Sequence, residues 1–265
     1  MTYQEKLSQL VDNMISYGED HFLGIGRGFF QGEANWKTNI GPMWASNGPY
    51  PSIDQIKKEG MACVGLLALL LRKFHQPLPF LDENNFPDVC KNENWKDPKG
   101  NTEWHYPYDQ GIQFGYGGTD EWMYIYQYVK KDKQCKPLLK PFDPNGEYPK
   151  GTLLFRVYNP YDFGHVAILR ESSEHRDLMD CTVLHTGGDV LGAGVVTNNE
   201  TVRSQHEMYI RGCHWNWDTD HKFDVNFGNL PYYTHVLFPE DYLNVYSAPK
   251  KIHEWKTWKP PGLKF

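Results

Sequence analysis

Gly60-Met61-Ala62-Cys63-Val64-Gly65-Leu66-Leu67-Ala68-Leu69-Leu70-Leu71-Arg72-Lys73 is the longest apolar run in the chain. After Gly65 it contains neither Gly nor Pro, and Val64 is its one β-branched residue, so the run predicts a buried helix over Cys63–Lys73 in preference to a strand. Arg72 and Lys73 suit the negative end of the helix dipole, and the following His-Gln-Pro stops it. A cysteine in the first turn faces the positive end, where the dipole favours thiolate over thiol. The plain alternative for Cys63 is a small buried hydrophobe in a core helix.

Working outward, Leu7, Leu10, Val11, Met14 and Ile15 share one face of an amphipathic helix over residues 4–17, with Gly18 as its expected end. Ser52-Ile53-Asp54-Gln55 has the spacing of a capping box ahead of the central run. Gly24-Ile25-Gly26-Arg27-Gly28 resembles a phosphate-cradling loop only superficially, because it follows a helix and lacks the later spacing. Residues 76–150 form a long connection rich in Asn, Asp, Pro and aromatics, in which Thr119-Asp120-Glu121 predicts a cap for a helix from Trp122 to Lys130. Trp104 and His105 in that connection are candidates for a lid.

From Gly151 the hydrophobic period shortens. Gly151–Tyr158, His165–Arg170 and Cys181–Thr186 read as strands of an antiparallel meander, with strand-like pieces expected through 191–217 and a last strand over Tyr232–Phe238. The tail from Ala248 reads as an extended arm (248–265). The expectation is one domain over 1–265. Its core covers about 40–75 and 150–245, its insertion about 76–150.

Composition excludes several classes. With 27 basic residues against 33 acidic and no long Lys/Arg block, nothing reads as a nucleic-acid patch. No stretch approaches the ~20 apolar residues a membrane span needs. The amino terminus lacks a cationic region followed by an apolar one, so a cytoplasmic or other reducing compartment is expected, or a virion if the chain is viral. Five cysteines without CxxC pairs do not make a disulfide framework or a structural zinc site. His206, Cys213, His214, Asp218, Asp220 and His221 carry metal-ligating chemistry, but their spacing fits no finger or zincin pattern, so no metal and no cofactor are expected.

A helix that opens on a cysteine, followed by a small antiparallel sheet with a histidine beginning one strand and a polar residue on the next, is a cysteine-nucleophile arrangement. The helix terminus lowers the thiol pKa and offers N–H groups to an oxyanion. An imidazole takes the thiol proton and later returns it to the leaving group, while a third polar group fixes the ring tautomer. The candidates are Cys63, His165 and His185. Asp180 or Asp189 in the orienting role stays open, as does a purely structural role for His185. Trp44 and Tyr50 are candidate groove residues, with packing as the alternative.

These same residues carry a resemblance. Gly60-Met-Ala-Cys63-Val-Gly65-Leu-Leu resembles the Asp-Cys-Ser-Gly-Leu-Val signature of NlpC/P60 cysteine peptidases. Gly151-Thr-Leu-Leu-Phe155 resembles that family's Gly-Asp-Leu-Val-Phe strand, Gly164-His165-Val166-Ala167-Ile168 its His-Val-Gly-Ile strand, and Val183-Leu184-His185 the strand with its third catalytic position. Trp44, near Gly48, falls where the family has an aromatic and glycine segment. The likeness spans roughly 40–75 and 150–190. It implies an α+β, papain-like core, with the nucleophile helix packed on a small antiparallel sheet and large loop insertions, and a Cys63-His165-His185 triad. Trp44, Tyr50 and Gly164 then border the substrate. The family's Asp before the nucleophile is Ala62 here and its following Ser is Val64, so the substrate expectation is an amide or peptide bond in general. The readings beside it are an acyltransferase or lipid-amide enzyme on the same core, and an inactive papain-like binding module.

Overall fold

A computed structural model of the chain describes residues 1–26, 50–61, 63–77, 122–123, 126, 130, 132–156, 165–186, 195–210 and 233–246. Helix α1 (Tyr3–Phe22) opens on a capping box: Glu5 N–H donates to the Thr2 hydroxyl (3.2 Å) and Thr2 N–H to the Glu5 carboxylate (2.7 Å). It buries Leu7, Val11, Met14 and Ile15 of the predicted face together with Phe22, while Leu10 is half-buried. The helix runs past Gly18, its expected end. A Cβ on Gly18 would lie 2.8 Å from Leu184 Cδ2, so this glycine serves close packing against the sheet and does not mark a stop.

Helix α2 (Ile53–Glu59) carries the expected Ser52–Gln55 capping box. It ends at Gly60 (φ 70°), whose N–H returns to the Ile56 carbonyl at 2.8 Å. Helix α3 (Cys63–Lys73) has the bounds that the apolar run predicts. Val64 through Leu71 are all buried, so this helix is apolar on every side and lies inside the molecule.

The strands are β1 (Lys140–Pro141), β2 (Leu153–Arg156), β3 (His165–Leu169), β4 (Val183–Thr186), β5 (Val196–Thr197) and β6 (His235–Leu237). They form one sheet of order β1-β6-β2-β3-β4-β5 with antiparallel pairing throughout. The molecule is therefore mixed α plus β, and β2-β3-β4 is the meander expected from the sequence. One expectation needs revision. Among the described residues of 191–217, Val196–Thr197 forms a strand and Val202–Ile210 a helix, α4. Thr201 starts that helix: its hydroxyl accepts from Ser204 N–H (3.0 Å), which makes a helix start out of a stretch with weak period. Strand β1 pairs with β6 through Lys140 opposite Val236 and Pro141 opposite His235. A short helix, α5 (Pro239–Tyr242), follows β6. Among the described residues no helix is long and apolar enough to cross a membrane.

The pleat of the sheet sorts two cores. Leu153, Phe155, Val166, Ile168, Leu184, Val196 and Leu237 pack with α1 and α3. Leu154, Ala167, Leu169, Val183 and Val236 pack with Tyr148, Leu178, Cys181, Val202 and Tyr233 on the opposite face. Helix α3 lies against β3 and β4. Gly151, at φ 88°, turns the chain into β2; its carbonyl accepts the Tyr242 hydroxyl (2.6 Å), and its missing Cβ leaves room for Val11.

Candidate functional site

His165 is the first residue of β3, and His185 the third of β4. With Ile168 opposite Leu184 and Leu169 opposite Val183, the two strands bring both rings to one face at one end of the sheet. His165 Nε2 and His185 Nδ1 are 3.0 Å apart, and the rings meet edge-on at 84° with centroids 5.1 Å apart. His185 is 1% exposed and His165 9%, so the bond between them is shielded from water. The structure thus brings together two of the three candidate triad residues.

Behind His185 stands a group of side chains that the sequence did not single out. Glu200 Oε2 lies 3.1 Å from His185 Nε2. Gln205, in the first turn of α4, places its Nε2 2.6 Å from that same carboxylate oxygen. The amide nitrogen also lies 2.8 Å from His185 Nε2 and 3.2 Å from His185 Nδ1. The Tyr233 hydroxyl donates to Gln205 Oε1, which fixes which way round the amide sits. Glu200 is held in turn by its backbone carbonyl, which accepts from Val183 N–H (3.0 Å) beside β4. Burial pushes the Glu200 carboxyl pKa up, but the hydrogen bond and charge of His185 and the bond from Gln205 outweigh it, and the net direction is downward.

Periodicity could not find this group. Glu200 lies between β5 and α4, in Asn199-Glu200-Thr201, outside any periodic stretch. The one usable signal is Thr201-x-x-Ser204, which marks a helix start and so puts Glu200 and Gln205 on one short corner.

Cys63 is the first residue of α3 and is half-buried. Its helix packs on the sheet face of Val166, Ile168 and Leu184, whereas His165 and His185 alternate onto the face of Ala167 and Val183. The thiol and the rings nevertheless share one end of the sheet. Met61 N–H donates to the Gly26 carbonyl (3.0 Å), Gly26 bridges Val195, and Val196 pairs with Thr186, the neighbour of His185. At this end Thr186 points to the helix side, its hydroxyl buried and without a hydrogen-bond partner.

Of the other candidates, Asp180 is bonded to Arg203 Nε at 3.0 Å on the surface and does not orient the base. Tyr50 is half-buried against the helix-side core, with the Arg72 guanidinium 5.6 Å and the Lys73 ammonium 5.7 Å from its ring centroid. Those cations are at the far end of α3 from Cys63, so Tyr50 is a packing residue there and not a neighbour of the thiol. Trp44, Gly164 and Asp189 lie outside the described residues, as do Trp104, His105, and Cys213, His214, Asp218, Asp220 and His221. Among the described residues no cluster of His, Cys, Asp and Glu could hold a metal ion. Comparison with protein-family models, with curated proteins and with solved structures gave no match for this chain.

Proposed function

We propose that the protein is a cysteine hydrolase with a papain-like, NlpC/P60-like core that cleaves an amide or peptide bond. The observation that carries this reading is the buried 3.0 Å bond between His165 Nε2 and His185 Nδ1. With one nitrogen of His165 engaged in orientation, the proposal gives the other, Nδ1, the role of base towards the thiol. Its supports are Cys63 at the start of an eleven-residue helix and the end of the sheet that this helix start shares with His165.

In this mechanism His165 Nδ1 takes the Cys63 proton and the thiolate attacks the carbonyl carbon. Backbone N–H groups at the start of α3 receive the charge that develops on oxygen. The tetrahedral adduct collapses to a thioester as the amine leaves with the proton from His165. A water molecule, deprotonated by His165, then attacks the thioester carbon; the acid departs and the thiol is restored.

A second reading is a binding module on the same fold. It is favoured by one observation: the two rings and the cysteine helix occupy opposite faces of the sheet. The pH dependence of iodoacetamide alkylation at Cys63, read by peptide mass spectrometry, decides between them. Fast alkylation well below pH ~8.5, the range of an ordinary thiol, that is lost in His165→Ala supports the hydrolase. A Cys63 whose alkylation is indifferent to His165 overturns it in favour of the binding module.

A further inference from the structure

We infer that Glu200 is the positioning residue that makes His165 a base, by dictating through His185 which nitrogen of each ring carries the proton. This inference rests on the hydrolase reading for its purpose, but on the hydrogen-bond network alone for its content.

Two proton arrangements can fill the bond between the histidines. In the first, His185 Nε2–H donates to Glu200, which leaves the His185 Nδ1 lone pair to accept from His165 Nε2–H; His165 Nδ1 then bears a lone pair and can take a proton. In the second, His185 carries its proton on Nδ1 and donates to His165 Nε2. His165 then holds its own proton on Nδ1 and cannot act as a base in its neutral form. The histidine pair by itself does not choose between them.

Its surroundings do. Glu200 Oε2 lies 3.1 Å from His185 Nε2, and an ionised carboxylate only accepts. The competitor is the Gln205 amide, 2.8 Å from the same ring nitrogen, which would donate to it and impose the second arrangement. Gln205 Nε2 is however 2.6 Å from the Glu200 carboxylate, and Tyr233 holds the amide so that its nitrogen stays on that side. A bond to a charged acceptor is roughly twice as strong as a neutral one, so the carboxylate draws both the amide hydrogen and the imidazole hydrogen. Gln205 and Tyr233 thus hold Glu200 in place and do not compete with it.

The same arrangement serves the charged state. When His165 takes the thiol proton it carries hydrogens on both nitrogens, and its Nε2–H stays where it was, on His185 Nδ1. No proton travels along the relay. Glu200 contributes its negative charge at the far side of the buried His185, from a half-buried position that screens it only in part. Among the described residues, Arg156 is the register partner of His165 on β2, and the Tyr233 hydroxyl bonds to Gln205. Arg156 opposes an imidazolium, which makes the compensating carboxylate matter more.

The test uses the full chain, with ring tautomers read by nitrogen-15 NMR of histidine-labelled protein and Cys63 alkylation read against pH. Expected in the unaltered chain is a neutral His185 protonated on Nε2 and a neutral His165 protonated on Nε2. Glu200→Gln keeps an acceptor without the charge. It is expected to retain both tautomers while moving the alkylation profile up by about one pH unit, a tenfold slower reaction at fixed pH below the midpoint. Glu200→Ala is expected to lose the tautomer preference as well, and Glu200→Asp to restore part of the profile. A His185 protonated on Nδ1 in the unaltered chain overturns the inference. So does an alkylation profile unmoved in Glu200→Gln while His165→Ala abolishes it. If His165→Ala leaves alkylation unchanged, the hydrolase reading fails on its own, and the tautomer spectra still decide the role of Glu200. Should Glu200→Ala not fold, Glu200→Gln and the unaltered spectrum carry the decision.

Discussion

His235 illustrates how one half-buried side chain sets a pH limit. Burial lowers its pKa from 6.5 to about 4, while in the unfolded chain it titrates at its ordinary value. Below pH 6.5 the unfolded state therefore binds the extra proton, and stability falls as pH drops from 6.5 towards 4. Replacing it with Phe is expected to flatten that part of the stability curve, measured by urea unfolding at pH 7, 5.5 and 4.5; an unchanged slope in His235→Phe rejects the account. Gly151 makes a different demand. At φ 88°, with Val11 Cγ1 2.6 Å from where a Cβ would stand, it has neither the dihedral nor the space for a side chain. Gly151→Ala is expected to destabilise by about 1–3 kcal/mol in the same assay. Thr186, whose hydroxyl is buried and unpartnered, is expected to tolerate Val, with stability equal to the parent or higher by up to about 1 kcal/mol.

At the scale of elements, α3 is the part on which the helix-side core closes. Leu66 through Leu71 are at most 1% exposed, and Leu70 meets α1 at Gly18 beside Leu184 of the sheet. Leu70→Ala removes a side chain at the point where two helices and a strand meet. It is expected to cost about 2–5 kcal/mol of unfolding free energy, and a cost under about 1 kcal/mol contradicts that placement. Helix α1 is tied to the far edge of the sheet by polar contacts as well. Arg170 pairs with Glu19 and also donates to the Thr182 hydroxyl (2.8 Å) and the Asn198 carbonyl (3.1 Å). This cluster holds the turn after β5, and so the approach to Glu200, against α1. Cys63 stands where α3 emerges from the core, and that is why an otherwise apolar helix can present a half-buried thiol.

At the scale of the molecule, the sheet separates two cores, and His165, His185 and the start of α3 lie at one end of it. The proposed hydrolase predicts that Cys63→Ala abolishes turnover of an amide substrate while leaving the fold intact, checked by activity against an amide library together with circular dichroism. Full activity in that variant ends the proposal. Acid should act on the site and on stability in the same direction. The lowered Glu200 pKa supplies stability that is present above its ordinary value of 4.5 and lost as pH falls through the folded value. Glu200→Gln is therefore expected to lessen acid sensitivity below pH 4.5 even as it weakens the base.

The sequence by itself determined what depends on neighbours along the chain. The Ser52–Gln55 box, the bounds of Cys63–Lys73 and the alternation that makes His165–Leu169 and Val183–Thr186 strands were all legible, because each rests on a period or on a bond spanning a few residues. Gly18 misled for the same reason: a glycine at a helix end and a glycine under a packing leucine look alike until Leu184 arrives from the sheet. For Tyr50 the sequence leaves a groove residue and a packing residue open, and its place beside Arg72 and Lys73 puts it at the other end of the helix from Cys63. The register of β3 on β4 joined His165 to His185, and the corner at Thr201 delivered Glu200 and Gln205 behind them. No local pattern encodes such a meeting. The groups are twenty residues or more apart from His165 along the chain, polar, and unremarked by any period. What selects them is the requirement that a buried imidazole find a partner on both nitrogens, and tertiary structure alone decides which side chains are near enough to supply it.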